Sequence, residues 1–424
     1  MKSSKLRRAP EEILLPAGFS FSALAAGIKA SGRPDLGLVE IAKGASAAAL
    51  LTRNRVVAAP IEVGRASLAD TGGRVRALIV NSGNANCATG RAGVAACERV
   101  CGAAGKILGV DPSEIFPSST GIIGVPLPDA KIRANIPELI GARSASVEAA
   151  GEFARAIMTT DTRPKIAAER VRIPAARELR NKKSRNTGSS AASDITVLGI
   201  AKGAGMIHPQ LATMLVYIFT DAVATPSELH RLLLAACDES FNCMSIDGDT
   251  STNDTVLLLA SGESGIRLTA PHVQKKFSAA LNRVCASLAE QIISDGEGVQ
   301  HVIRLHIAGA RSRDEALTVA RTIAHSLLVK TAWAGADPNW GRILAAIGRC
   351  GLPIDPARVN IFIGGQKVCG RGVAASFDQQ RAHQALGAAE CDIRVELGRG
   401  RAEVRFLTTD LTSEYVRINA DYST

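Results

Sequence analysis

Aromatic side chains are scarce in this chain. Only 4% of its 424 residues are Phe, Trp or Tyr. Proteins that grip single-stranded nucleic acid stack bases on exposed rings, so this composition argues against that class. Long apolar runs are missing as well. The least charged long stretch, residues 195–220, still carries Lys202, His208, Pro209 and three closely spaced glycines, which does not fit a membrane helix. The nine cysteines form no CxxC pair and no Cys/His ligand spacing. A structural zinc site is therefore not expected, and buried thiols in a reducing cytoplasm are. Common phosphate and calcium loops fail too. Gly203-Ala204-Gly205 lacks the third glycine of a dinucleotide loop and the lysine that ends a P-loop. Asp247-Gly248-Asp249 opens like a calcium loop, but Thr252 stands where glycine is needed and Leu258 where glutamate is needed.

What is present is an ordinary globular balance, 46% hydrophobic and 21% charged, with 39 glycines. Such a core packs small side chains closely. The net charge of +10 is concentrated locally: Arg170, Arg172, Arg177, Arg180, Lys182, Lys183 and Arg185 fall within one short run. With no aromatic interleaved, that run reads as a solvated surface insertion rather than a nucleic-acid arm. Near the start, Lys2, Lys5, Arg7 and Arg8 precede an apolar stretch at 13–28. Glu11, Glu12 and Pro16 interrupt the pattern, so a secretory leader is not expected.

Apolar runs at 75–80, 196–200, 255–260 and 359–363 predict buried strands. Helical periodicity covers 91–108, 146–158, 227–237, 272–295, 312–325 and 378–386, with Ser146 as an N-cap and Glu228 at the favourable end of its helix dipole. The tail reads as paired strands at 393–396, 401–407 and 414–418. Strands and helices alternate irregularly, so the fold class is α/β, a layered sandwich with mixed β-sheets rather than a regular barrel.

Three hydroxyl-rich turns stand out: Ser118-Ser119-Thr120-Gly121, Thr159-Thr160-Asp161-Thr162, and Asp249-Thr250-Ser251-Thr252-Asn253-Asp254-Thr255. Each alone is also compatible with a turn or a cap. A Gly/Pro loop from Lys202 to Pro209 then runs through Ala212-Thr213 straight into an apolar run. Together with Gly27-Ile28-Lys29, Asn81-Ser82-Gly83-Asn84-Ala85-Asn86, Asp295-Gly296-Glu297-Gly298, Asp337-Pro338-Asn339-Trp340-Gly341-Arg342 and Asn419-Ala420-Asp421-Tyr422, these occur in an order that resembles the ornithine acetyltransferases (glutamate N-acetyltransferases) of arginine biosynthesis, a self-cleaving, N-terminal-nucleophile-like class. The resemblance runs nearly end to end. His208 and Val299-Gln300-His301 depart from the usual pattern.

The resemblance implies a cut between Ala212 and Thr213, giving fragments 1–212 and 213–424 with Thr213 as nucleophile. It implies an oxyanion hole of the Thr120 hydroxyl and the Gly121 N–H. Substrate contacts are expected from Lys202, from Thr159 or Thr160, from Glu297, Asn419 and Thr424, and from Thr213 itself. It implies no metal and no cofactor. The small-molecule substrates are N-acetylornithine and glutamate, with acetyl-CoA as an open alternative donor. The implied assembly is a heterotetramer of two α and two β fragments, in the cytoplasm, with no nucleic-acid or membrane partner. A main catalytic domain over 1–300 and a smaller domain over 301–424, its tail returning to the site, are expected. The rival reading is an aminopeptidase or amidase of the same class, in which water resolves the acyl-threonine.

Overall fold

Alternating apolar positions decide the centre of the molecule. The computed structural model describes residues 13–173, 193–208 and 214–421. A five-stranded sheet contains β3 (Ser46–Leu51), β6 (Lys165–Ile173), β7 (Ser193–Lys202), β8 (Leu215–Thr220) and β10 (Thr255–Ala260), in the order β3-β10-β8-β7-β6. β8 and β10 are parallel and the other pairs antiparallel, so the sheet is mixed. Both its faces are covered. Val216, Ile218, Val256 and Leu258 pack to one side, while Leu215, Tyr217, Phe219, Leu257 and Leu259 pack to the other. A strand apolar on both faces reads as a continuous run, which is why 255–260 is legible as a buried strand.

The second sheet has β1 (Phe19–Leu24), β2 (Leu36–Ile41), β4 (Ala77–Asn84) and β5 (Ile115–Ile122), with β4 and β5 parallel. Phe19, Phe21 and Val39 share one apolar cluster with Tyr217 and Phe219, so the two sheets pack face to face. Three helices lie before the β6 strand and outside that interface: α1 (Ala59–Asp70), α2 (Gly90–Leu108) and α3 (Asp129–Gly141). Of these, α2 and α3 cover the outer face of the four-stranded sheet through Val100, Ala104, Ile132 and Leu139. A fourth helix, α4 (Val147–Ala156), fills the sheet interface with Phe153. On the far side α5 (Pro226–Asp238) and α6 (Pro271–Ser294) cover the five-stranded sheet. The layering is helix, sheet, sheet, helix: the α/β sandwich with mixed sheets that the sequence predicts.

A seven-stranded sheet joins β9 (Met244–Ser245), β11 (Val302–Ala310), β12 (Asn360–Ile363), β13 (Gln366–Gly370), β14 (Val373–Ala374), β15 (Glu390–Glu396) and β16 (Ala402–Thr409). The helices α7 (Arg313–Ala324), α8 (Leu327–Ala334), α9 (Trp340–Gly348) and α10 (Gln379–Leu386) share its core. Two expectations for the tail are corrected here. The strands β15 and β16 do not pair with each other; β11 lies between them, parallel to β15 and antiparallel to β16. Residues 414–418 are not a strand but part of a helix, α11 (Ser413–Asp421). The edge beside β16 is already taken by β9. As a helix, the segment gains an Arg417 pair with Glu414 at i,i+3 and with Asp421 at i,i+4, and it leaves Val416 exposed.

All nine cysteines are unpaired, eight of them buried and Cys350 half-buried. Among the described residues no helix is long and apolar enough to cross a membrane. Arg170 and Arg172 of the basic run lie on β6; Arg177, Arg180, Lys182, Lys183 and Arg185 lie outside the described residues.

Candidate active site

At one end of the sandwich β5 and β7 finish while β8 and β10 begin. The register pairs Gly83 with Gly121 and Lys202 with Leu215. Gly121 has φ +135°, and a Cβ there would sit 2.3 Å from the Gly83 carbonyl carbon, so only glycine lets the two strands meet. The neighbouring hydroxyls are fixed by neutral partners. Ser119 Oγ donates to Asn81 Oδ1 at 2.6 Å, and Tyr217 OH donates to Ser118 Oγ at 2.8 Å. Asn253 Nδ2 donates to the carbonyls of Ala85 and Ser119 at 2.7 and 2.9 Å, which ties the third hydroxyl-rich turn to the first. Thr120 is buried, and its Oγ1 accepts from Lys202 Nζ at 3.3 Å. Its own proton is thereby free for another acceptor.

The other flank is built from charges. Lys202 is buried, and desolvation draws its ammonium below the ordinary lysine value, while Asp161 pulls it back up. Asp161 accepts the N–H of Gly203 at 2.7 Å and of Thr159 at 2.9 Å, and it meets the Lys165 ammonium. Burial opposes its charge, but Lys165 and Lys202 hold the carboxyl well below the usual carboxylate range. Lys165 Nζ also donates to Asp295 Oδ2 at 2.5 Å. Asp295 caps the end of α6 and takes the Thr162 N–H at 3.0 Å together with the Thr162 hydroxyl. Thr159 and Thr160 are half-buried beside this network.

Two residues past Asp295, the Glu297 N–H donates to the Ala204 carbonyl at 2.8 Å. Its carboxylate lies against Gly205, where a Cβ would come within 2.4 Å of Oε2. Asn419 Nδ2, on α11, donates to Glu297 Oε2 at 2.8 Å. The close approach of α11 depends on Gly298, at φ +66°, where a Cβ would stand 2.4 Å from the Tyr415 nitrogen. Thr412 Oγ1 adds a bond to the Gly298 carbonyl at 2.7 Å.

Thr120, Gly121, Lys202, Glu297 and Asn419 thus gather at one end of the sandwich, with Thr159 and Thr160 attached through Asp161. Ala212, Thr213 and Thr424 lie outside the described residues. Met214, next to Thr213 in sequence, donates its N–H to Asp254 Oδ1 at 3.0 Å. Burial pushes the Asp254 carboxyl well above its ordinary value, against the pull of the Met214 N–H and of Lys202. His208 Nδ1 meets His325 Nε2 at 3.1 Å. Sequence reasoning quoted Asp161 and Asp295 only as letters of motifs and did not single out Lys165. A lysine at the first position of an otherwise alternating strand is the one signal that points to it. A surface recess of about 300 Å³ between β6 and α6 shares no lining residue with this cluster; it is flanked by the Glu169–Arg283 ion pair, and the chemistry lies elsewhere. Among the described residues no group of three or more His, Cys, Asp or Glu side chains could hold a metal ion.

The fold and site define a layered α/β protein in which hydroxyls, a buried ammonium and a carboxylate–amide pair converge from both halves of the chain. Residues 20–424 match the ArgJ family model, and the chain belongs to that family. It is 44% identical to the arginine biosynthesis bifunctional protein ArgJ of Methylococcus capsulatus, over 96% of each chain. The Thermus thermophilus protein of the same name is 42% identical over 97% of this chain and all of its own. A crystal structure of the Bacillus halodurans ArgJ protein is 40% identical, covering 49% of this chain and 98% of its own, with a TM-score of 0.47.

Proposed function

We propose that this chain is a glutamate N-acetyltransferase of arginine biosynthesis, carrying acetyl from N2-acetylornithine to glutamate through an ester on Thr213. The contact between Lys202 and Thr120 carries the reading. In an N-acetyl amino acid the acetyl carbonyl and the α-carboxylate are close neighbours along the molecule. Adjacent sites for an oxyanion and for a carboxylate match that pair.

A threonine hydroxyl needs a base beside it. In this reading the chain makes one by cutting itself. The Thr213 hydroxyl attacks the Ala212 carbonyl, the acyl group moves from nitrogen to oxygen, and water releases the 1–212 fragment. The new α-amine, with a reference pKa near about 7.7–8.0, takes the hydroxyl proton in each later attack. Acetylornithine then transfers its acetyl to Thr213, and the α-amine returns the proton to the departing ornithine nitrogen. The amine of glutamate attacks the ester, frees Thr213 and leaves as N-acetylglutamate. One amide is exchanged for another, so no ATP is needed.

Each residue has a part. The Thr120 hydroxyl and the Gly121 N–H face the tetrahedral oxyanion. Lys202 holds the α-carboxylate and Thr159 or Thr160 adds a hydroxyl. Glu297, steadied by Asn419, pairs with the cationic side chain of ornithine, and Thr424 reaches the same head group. Acetyl-CoA as a second donor, a heterotetramer of two α and two β fragments, a cytoplasmic location and the division into 1–300 and 301–424 belong to the same proposal.

Purified protein should run as two bands, each about half of 44.2 kDa, the second beginning Thr-Met-Leu-Val. Thr213→Ala should stay full length and inactive. Acetylornithine alone should leave an acetyl adduct on the Thr213 fragment. Adding glutamate should discharge it as N-acetylglutamate; release of acetate at the same rate with or without glutamate would favour the hydrolase instead. Replacing acetylornithine by acetyl-CoA in the same assay decides the second donor.

A further inference from the structure

We propose that Asp161 and Lys165 are positioning residues of the substrate site: with Asp295 they form a buried ion triad that keeps Lys202 a charged carboxylate binder and fixes its spacing to Glu297. This deepens the acetyltransferase reading and rests on it. The side chains of Lys165 and Asp161 are fully buried and that of Asp295 is 5% exposed. Burying such charges is costly, and a well-packed apolar cluster can stabilise a fold equally well. The use of the triad therefore lies in what it holds. Its carboxylates take the backbone N–H of Thr159, of Thr162 and of Gly203, the residue after Lys202. Asp295 itself stands two positions before Glu297, whose N–H is tied to Ala204. Three separate stretches that carry substrate-facing side chains are thus pinned to one ammonium.

The electrostatics follow the same arrangement. Among the described residues the only hydrogen-bond acceptor for the Lys202 ammonium is Thr120 Oγ1. Asp161 acts on Lys202 through space and raises its affinity for a proton without occupying its N–H donors. An ion pair in direct contact would keep the charge but spend the donors that a substrate carboxylate needs. Lys165 in turn lets Asp161 remain ionised while buried. The other groups that face Lys202 are Lys165, Glu297, Asp254 and Lys29. Asp254, whose carboxyl burial pushes upward, comes last among the groups that support the charge on Lys202, and Lys165 and Lys29 oppose it. Asp161 is the largest contributor that sustains it, with Glu297 second.

The test compares N-acetylornithine with N-acetylputrescine, the same molecule without its α-carboxylate. The ratio of the two kcat/KM values, followed over pH, cancels every titration that both substrates share. In the wild type the preference for N-acetylornithine should persist at neutral pH. In Asp161→Asn, which keeps an acceptor oxygen for one of the two backbone N–H groups, the preference should collapse at a pH about one unit or more lower, a loss of about threefold or more midway between the two. Lys165→Met should move the ratio in the same direction, and Asp161→Glu should restore it. A double variant with Lys202→Met should lose no more preference than Lys202→Met alone. Equal loss of both substrates with an unmoved pH profile would reduce the triad to a structural staple and overturn the proposal. Were the variants not to fold, the wild-type profile still decides, because a preference already gone by about pH 7 means that Asp161 does not keep Lys202 charged. A wild type that transfers no acetyl to glutamate refutes the functional reading itself, and that outcome is distinct from any of these.

Discussion

On the β5 flank of the site the hydrogen-bonded groups beside Thr120 are neutral: Asn81, Ser118, Ser119, Asn253 and Tyr217, joined by hydrogen bonds between amides, hydroxyls and carbonyls. On the β7–α6 flank the residues are Lys202, Asp161, Lys165, Asp295 and Glu297, all ionisable and, apart from Glu297, buried. Among the described residues the two flanks touch through the bond of Lys202 to Thr120. A neutral, rigid donor set suits a charge that exists only in the transition state, since it does not bind the ground state as strongly. Fixed charges suit the carboxylate and ammonium that the substrate carries throughout. In this chain the neutral flank should therefore govern kcat and the charged flank KM.

The largest effect should come from the neutral side. Thr120→Ala, assayed on protein that has completed self-cleavage, should lower kcat by about 100- to 1000-fold with little change in KM. Thr120→Ser should recover part of the loss. A rise in KM at constant kcat would erase the distinction between the flanks.

On the charged side, Glu297→Gln should lower kcat/KM for acetylornithine by roughly 10- to 100-fold, the range for a lost charged hydrogen bond. Self-cleavage should suffer less, since no ornithine is involved, and the time course of band splitting on a gel measures it. Equal loss of both would show that Glu297 only holds the loop at Ala204.

Gly298→Ala probes the contact between the charged flank and the tail. Strain at φ +66° and the clash with the Tyr415 nitrogen should cost about 1–3 kcal/mol in stability. It should displace α11, so that Asn419 leaves Glu297. A lower Tm, faster proteolysis within 413–421 and a few-fold rise in KM are the expected readouts. An unchanged KM with a displaced tail would remove Asn419 from the site.

The elements that sequence reading found are those with long, unambiguous periods. The helix α6 runs Pro271–Ser294 against an expected 272–295, and β10 matches 255–260 to the residue. The tail failed because Tyr415, Val416 and Ile418 are residue types that strands favour, while the i,i+3 and i,i+4 pairs of Arg417 and the approach to Gly298 favour a helix. Family resemblance supplied Thr120, Lys202 and Glu297 but not the triad behind them. Lys165 and Asp295 are separated by 130 positions, and nothing local in either segment names its partner. A strand-initial lysine looks like a surface residue until the fold closes over it.

The smallest predicted effect sharpens the comparison through a half-buried contact, one that is neutral although it is surrounded by cations. His325 Nε2 lies 3.1 Å from His208 Nδ1 and 2.9 Å from Ser245 Oγ. Burial brings the His325 imidazole down to about 3, and His208, Lys330, Arg321 and Arg349 push in the same direction. The same kind of cationic surroundings that hold the acid Asp161 charged hold the base His325 neutral. An unfolded histidine titrates near about 6.5, so between that pH and about 3 the unfolded chain binds the extra proton. Stability is then fully present above pH 6.5 and is lost as pH falls below it. From pH 7 to pH 5 the loss is about 2 kcal/mol, a few degrees in Tm for a chain of this size. His325→Gln keeps an acceptor for its neighbours and has no proton to gain, so its Tm should fall less over the same interval. Parallel Tm-against-pH lines for wild type and variant would mean that His325 already carries a proton in the folded state, and the contrast with Asp161 would fail.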